Sequence, residues 1–297
     1  MVQTALNALA LGSVYALMAV GIGLVFGVLR LVNFAYGQLI MAGAYSLAVT
    51  SERGWPEWAS LLTCFAVVIA LSLLMEAAVF RPLRDAPPAT MLVATFAVAF
   101  LLQAIALMKF GSLGKVASIF PGLFDPVASS GRLATVRWVT VVAIACGVVA
   151  VVGLTVLLER TSIGLHMRAA AADFRTARLL GVNANRVITL AVVLSGVLAA
   201  AVSVILVIQT PLVVPSFALR DTIIVLVGVV VGGLDRLWTA TLGGFSIGVA
   251  TSVFTDKLPT DATVYVDSFV FGLVIAVLLL RPGGLFAPRR IRPVERA

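Results

Sequence analysis

TALNALALGSVYALMAVGIGLVFGVL, residues 4–29, has no charged side chain and exceeds the roughly 20 apolar residues that cross a hydrocarbon core. In lipid the backbone N–H and C=O groups have no water to bond, so a spanning segment is a helix or part of a closed barrel. Barrel strands alternate apolar and polar side chains over about ten positions. This run does not alternate, so it reads as a transmembrane helix. No basic residue precedes Arg30, so the run lacks the n-region of a signal peptide and is expected to persist as the first span.

Further apolar runs lie at 33–50, 58–80, 89–108, 137–158, 187–209, 221–234, 237–256 and 264–280. Hydrophobic residues make up 61% of the 297-residue chain and charged residues 11%, against roughly 45–50% and 25% in soluble domains. The expected fold is therefore all-α: a polytopic transmembrane helix bundle of about eight to ten segments, forming a single transmembrane domain over 1–297. The seventh run is short and is followed by Gly232-Gly233-Leu234-Asp235-Arg236. It reads as a thin span, a re-entrant helix or half of a broken one.

The net charge of +8 comes from basic residues in short loops, the pattern of a topology signal and not of a nucleic-acid surface. Five arginines (160, 168, 175, 178 and 186) fall in the loop 159–186, Arg81 and Arg84 in the loop 81–88, and five more in the tail 281–297. These three segments are expected in the cytoplasm, which for nine crossings puts the N-terminus outside and the C-terminus inside. The loop 109–136, with Pro121, Gly122, Pro126 and Gly131, reads as an irregular outer loop despite Lys109, Lys115, Arg132 and Arg137.

The loop 159–186 differs from the others. Between Gly164 and Gly181 runs LHMRAAAADFRTARLL, rich in helix formers. One or two short amphipathic helices are expected, with Leu165, Ala169, Ala172, Leu179 and Leu180 on one side and Arg168, Arg175 and Arg178 towards another. Such a helix either anchors at the interface or docks its apolar side into a cytoplasmic partner.

Chemistry-bearing motifs are scarce. Gly111-Ser112-Leu113-Gly114-Lys115-Val116 has neither the glycine spacing nor the Ser or Thr after Lys of a phosphate-binding loop, so ATP, if used, is hydrolysed by a partner. The single His166 and the isolated Cys64 and Cys146 offer no metal set, and no nucleophile triad is present, so an intramembrane enzyme is unsupported. Charges sit mostly at segment ends: Glu76 reads as an interfacial ion pair with Arg81 or Arg84, and Arg220-Asp221 and Asp235-Arg236 as interface anchors. That scarcity argues against a self-sufficient ion-coupled transporter. The densest polar set is Asn33, Tyr36 and Gln38, which either line a solute pathway at a break between helices or pack as satisfied amides. Gln103, mid-span in the fourth run, reads as an interhelical hydrogen bond or a further pathway residue.

Five ordered blocks resemble the permease subunits of ABC importers for branched-chain amino acids, and specifically the shorter of their two permease types. They are LGSVYALMAVGIGLVFGVLRLVNFAYGQLIMAGAY (11–45), RPLR (81–84), TSIGLHMRAAAADFRTARLLGVNANRV (161–187), GVVVGGLDRLWTATLGG (228–244) and LRPGGLF (280–286). The resemblance implies a multi-pass inner-membrane permease paired with a second homologous permease, two cytoplasmic ATPases and a periplasmic or extracellular solute-binding protein. ATP and magnesium would be held by the ATPases, with no cofactor on this chain. It further implies that the loop 159–186 couples to the ATPases through Gly164, Leu165, Arg168, Ala169, Asp173, Leu180 and Gly181. The family usually has His and an acidic residue where this chain has Tyr36 and Gln38, and a small or basic residue at His166. Related permeases for urea and short amides share most of these blocks, which leaves such solutes as the alternative cargo.

Overall fold

A computed structural model describes residues 2–29, 33–83, 86–129, 135–172, 177, 179, 183–233 and 237–281. Each apolar run is helical there: α1 (Val2–Leu29), α2 (Tyr36–Glu52), α3 (Glu57–Met75), α4 (Pro88–Phe110) and α5 (Trp138–Arg160) precede the loop helix α6 (Ser162–Ala172). After it come α7 (Ala184–Gln209), α8 (Leu219–Gly232), α9 (Leu237–Lys257) and α10 (Val266–Leu280). Among the described residues, seven helices are long and apolar enough to cross a bilayer. The 17 residues of α2 and the 14 of α8 extend only about 26 and 21 Å, short of a hydrocarbon core of about 30 Å.

α1 forms the axis. Lipid supplies no hydrophobic drive between helices, so they associate where small residues let backbones approach. α1 and α9 run antiparallel along such a seam. Thr4 donates to Asp256 at one end, Gly248 rests on the Gly12 backbone, Gly244 meets Tyr15 and Ala19, and Gly23 meets Ala240 near the other end. α7 packs on a second side of α1, where the Ser195 hydroxyl donates to the Gly21 carbonyl at 3.0 Å. Ser203 donates to the Ile40 carbonyl of α2 at 2.8 Å. α3, α4, α5 and α10 are peripheral and expose large apolar side chains such as Phe100, Val149 and Leu279, the surface a bilayer covers.

The last turn of α3 widens into a π-helical turn, Glu76–Phe80, closed by the Arg81 N–H on the Glu76 carbonyl at 2.8 Å. Glu76 is buried, and Arg81 Nε lies 3.5 Å from its Oε1, an ion pair without a hydrogen bond. The pair read from the sequence forms, but its carboxylate sits inside the protein.

At the end of the bundle where α1 begins and α2 finishes, the connections are more ordered than an irregular loop. β1 (Lys115–Val116) pairs antiparallel with β4 (Leu212–Val213), and β2 (Pro126–Ser129) with β3 (Thr135–Arg137). Lys115 also pairs with Glu52 at the end of α2. Strands of two to four residues are too short to show alternation in a sequence. α6 lies at the opposite end.

Candidate functional site

The α6 helix is built from its first turn. The Thr161 hydroxyl caps it, accepting from the Gly164 N–H at 3.1 Å, while the Leu165 N–H donates to the Thr161 carbonyl at 3.0 Å. The helix therefore starts at Ser162, earlier than the glycine that brackets it in the sequence reading. A Cβ at position 164 would collide with the carbonyl oxygens of Leu157 and Leu158, so glycine lets α6 fold tightly back on the end of α5.

Gly164, Met167 and Ala170 form the buried side of α6. Leu165, 58% exposed, lies on the outward side with exposed Arg168 and half-buried Ala169. This corrects the expected split between Leu165 and Ala169 on one side and Arg168 on another: residues three and four apart share a helix face. The result is a mixed apolar and basic surface facing away from the bundle. Leu179 is also exposed. Asp173, Leu180 and Gly181, expected to act with them, lie outside the described residues, as do Arg175 and Arg178.

The second polar region lies at the start of α2. Asn33 is buried and accepts from the Ala35 N–H at 3.0 Å, which turns the chain into the helix. Tyr36 and Gln38 are fully buried, and Tyr36 Oη and Gln38 Oε1 have no hydrogen-bond partner among the described residues. The Tyr36 hydroxyl lies against Gly21 of α1, and Gly37 rests on Thr222 and the Ala218 carbonyl at the start of α8. Three of the four expected pathway residues are thus gathered at one break, enclosed by the protein. The fourth, Gln103, is half-buried on the peripheral α4, two turns beyond Phe96, whose ring meets that of Phe34 edge-on at 5.2 Å.

The start of α8 lies deep. Gly37, its contact on α2, is 15 residues below Glu52, or about 22 Å at 1.5 Å per residue. The Tyr15 hydroxyl donates to Asp221 at 2.7 Å, and Tyr15 is 11 residues along α1 from Thr4, or about 16 Å. Arg220 and Asp221 are therefore not surface anchors, and they do not pair with each other. Asp221 turns inward to Tyr15. Arg220 turns outward and grips Asp267 of α10 through Nε at 2.7 Å and Nη2 at 2.5 Å. Asp267 is absent from the sequence reading; the available signal was an acidic residue near the head of the last apolar run. Asp235 and Arg236 lie outside the described residues. Among the described residues no group of three His, Cys, Asp or Glu side chains converges as a metal site would require.

Helices of spanning length around a small-residue axis, with shorter helices starting inside the bundle, define a multi-pass membrane protein of the transporter type. Residues 4–279 match the permease component of the branched-chain amino acid transport system, and the chain belongs to that family. It is a transport permease and not an enzyme, from a class that works with separate ATPase and binding-protein partners. It is 30% identical to the high-affinity branched-chain amino acid transport system permease protein BraD of Pseudomonas aeruginosa, over 98% of this chain and 97% of that protein. It is 27% identical to the permease protein LivH of Escherichia coli K12, again over 98% and 97%. A probable LivH of Methanocaldococcus jannaschii is 25% identical over 97% of this chain and 91% of that protein. Among solved structures, PsaBC from Streptococcus pneumoniae, in complex with Fab, shares the fold with a TM-score of 0.50 at 12% identity, covering 93% of this chain and 91% of that one.

Proposed function

We propose that this chain is the translocation subunit of an ATP-driven importer for branched-chain or related amino acids, working beside a second homologous permease. The end bearing α6 faces the cytosol together with the C-terminal tail, and the strand-bearing end faces the binding protein. The full chain acts as one permease domain, with 159–186 as its coupling loop. One observation carries this reading: α6 is locked to the bundle by Gly164, Met167 and Ala170 while Leu165 and Arg168 face outward. A helix held rigidly on one side and bare on the other transmits displacement to whatever it is packed against. It is tied to α5 by the Gly164 contact and so reaches α1, on which α5 packs.

In this mechanism the ATPases hold the outward face of α6 differently when ATP-bound and when ATP-free, and that difference in binding shifts the bundle between two openings. Asn33, Tyr36 and Gln38 sit where the short α2 starts, on the route that such a shift would open.

The test uses the assembled transporter in proteoliposomes. Arg168→Glu together with Leu165→Asp should abolish ATP-dependent leucine uptake, while the chain still inserts and copurifies with its second permease. Uptake at the wild-type rate in this variant would remove the coupling role of α6.

A further inference from the structure

We propose that the cleft between α8 and α10 is an amino-acid zwitterion seat on the translocation route, where Arg220 takes the α-carboxylate and Asp267 the α-ammonium. This rests on the importer reading above and adds the recognition chemistry that the reading leaves open. The cleft has a volume of about 360 Å³ and is lined by Leu219, Arg220, Ile223, Ile224, Asp267 and Phe271, within the ~300–1,000 Å³ of typical small-molecule sites.

The location argues first. Arg220 lies on a helix that starts inside the bundle, since the residue after it is held by Tyr15 about 16 Å along α1 from Thr4, and its guanidinium reaches Asp267 on α10. Yet the Arg220 side chain is 62% exposed and that of Asp267 36%. A guanidinium at that depth facing lipid is expensive, so intramembrane charges pair with one another, as these two do, and face a bundle interior or a water-filled cavity. The outward side of α8 continues the same stripe through Ile223, Val227 and Val230, one helical turn apart. On this proposal the exposed ion pair opens onto a vestibule between the two permeases, and the apolar stripe beside it is the face that the second permease covers.

The chemistry argues second. The ion pair is bidentate, with Nε and Nη2 on the two carboxylate oxygens. A solute with one charge cannot part it without leaving a partner bare. A zwitterion can, because its carboxylate takes over the guanidinium fork while its ammonium takes over the carboxylate, so both charge-assisted bonds are replaced. Ile223, Ile224 and Phe271 then offer an apolar wall to the side chain. A neutral amide or urea has no charges with which to replace those of the pair, so the seat discriminates against them.

The experiment follows initial uptake of L-leucine and of isobutyramide by the complete transporter in proteoliposomes. It compares wild type with Arg220→Gln, Asp267→Asn and the reversed pair Arg220→Asp/Asp267→Arg, each checked for copurification with its partners. The expected result is leucine uptake reduced roughly tenfold or more in both single variants, the scale of one lost charge-assisted bond. The reversed pair should not recover it, because an inverted zwitterion points its side chain away from Ile223 and Phe271. Recovery by the reversed pair would make Arg220–Asp267 a structural clip and overturn the proposal, as would unchanged leucine uptake in the single variants. If the wild-type transporter carries isobutyramide and no leucine, the amino-acid cargo itself falls, a failure separate from that of the seat.

Discussion

Gly248→Ala is the sharpest probe of the axis. In α9 this glycine lies on Gly12 of α1, and a Cβ there would stand 2.7 Å from the Gly12 Cα and 2.9 Å from the Leu11 carbonyl oxygen. Carbon atoms are at their best separation near 3.5–4.0 Å, so the two backbones must part by about 1 Å, and no side chain can swing aside to spare them. Overpacking of this kind costs about 1–3 kcal/mol. The same substitution at Gly153 in α5 or Gly272 in α10 meets nothing within 4 Å, and there alanine gains up to about 1 kcal/mol of helix propensity. The three variants thus share one chemical change and differ only in packing. Thermal unfolding in detergent, followed by size-exclusion fluorescence, should place Gly248→Ala lowest, roughly 2–10 °C below wild type, with the other two at or above wild type. A Gly248→Ala midpoint equal to that of Gly153→Ala would refute the close α1–α9 seam.

Tyr36→Phe removes a buried hydroxyl without a hydrogen-bond partner, so stability should hold or rise by up to about 1 kcal/mol; a clear fall in the unfolding midpoint would mean that the hydroxyl is bonded. Tyr15→Phe instead strips the Asp221 carboxylate of its donor at 2.7 Å. It should cost about 1–3 kcal/mol, read in the same unfolding assay, and an unchanged midpoint would count against the inward-facing Asp221.

Composition and the length of the apolar runs determine the all-helical membrane fold, since a backbone in lipid must bond to itself and few structures allow that. The nine apolar runs fall on nine helices, with boundaries shifted by a few residues. The loop helix was also legible, through its helix formers and bracketing residues, but its facing was not. Met167 and Ala170, not Leu165, became the buried side, because the Gly164 contact with the end of α5 fixes the rotation of α6 and no periodicity encodes that contact.

The deeper polar chemistry belongs to tertiary structure alone. In the sequence Arg220 and Asp221 are neighbours of opposite charge, and the simplest inference joins them. Successive residues on a helix point about 100° apart, so one reaches Tyr15 on α1 and the other Asp267 on α10. Such partners, 206 and 47 residues away, are chosen by where helices cross, and that is decided by the fit of glycines and serines along the seams. The sequence alone therefore determined that this chain enters a membrane, and as what kind of bundle. Only the packed structure decided which of its few charges face each other, because pairing across helices depends on depth and rotation, which a single strand of letters does not carry.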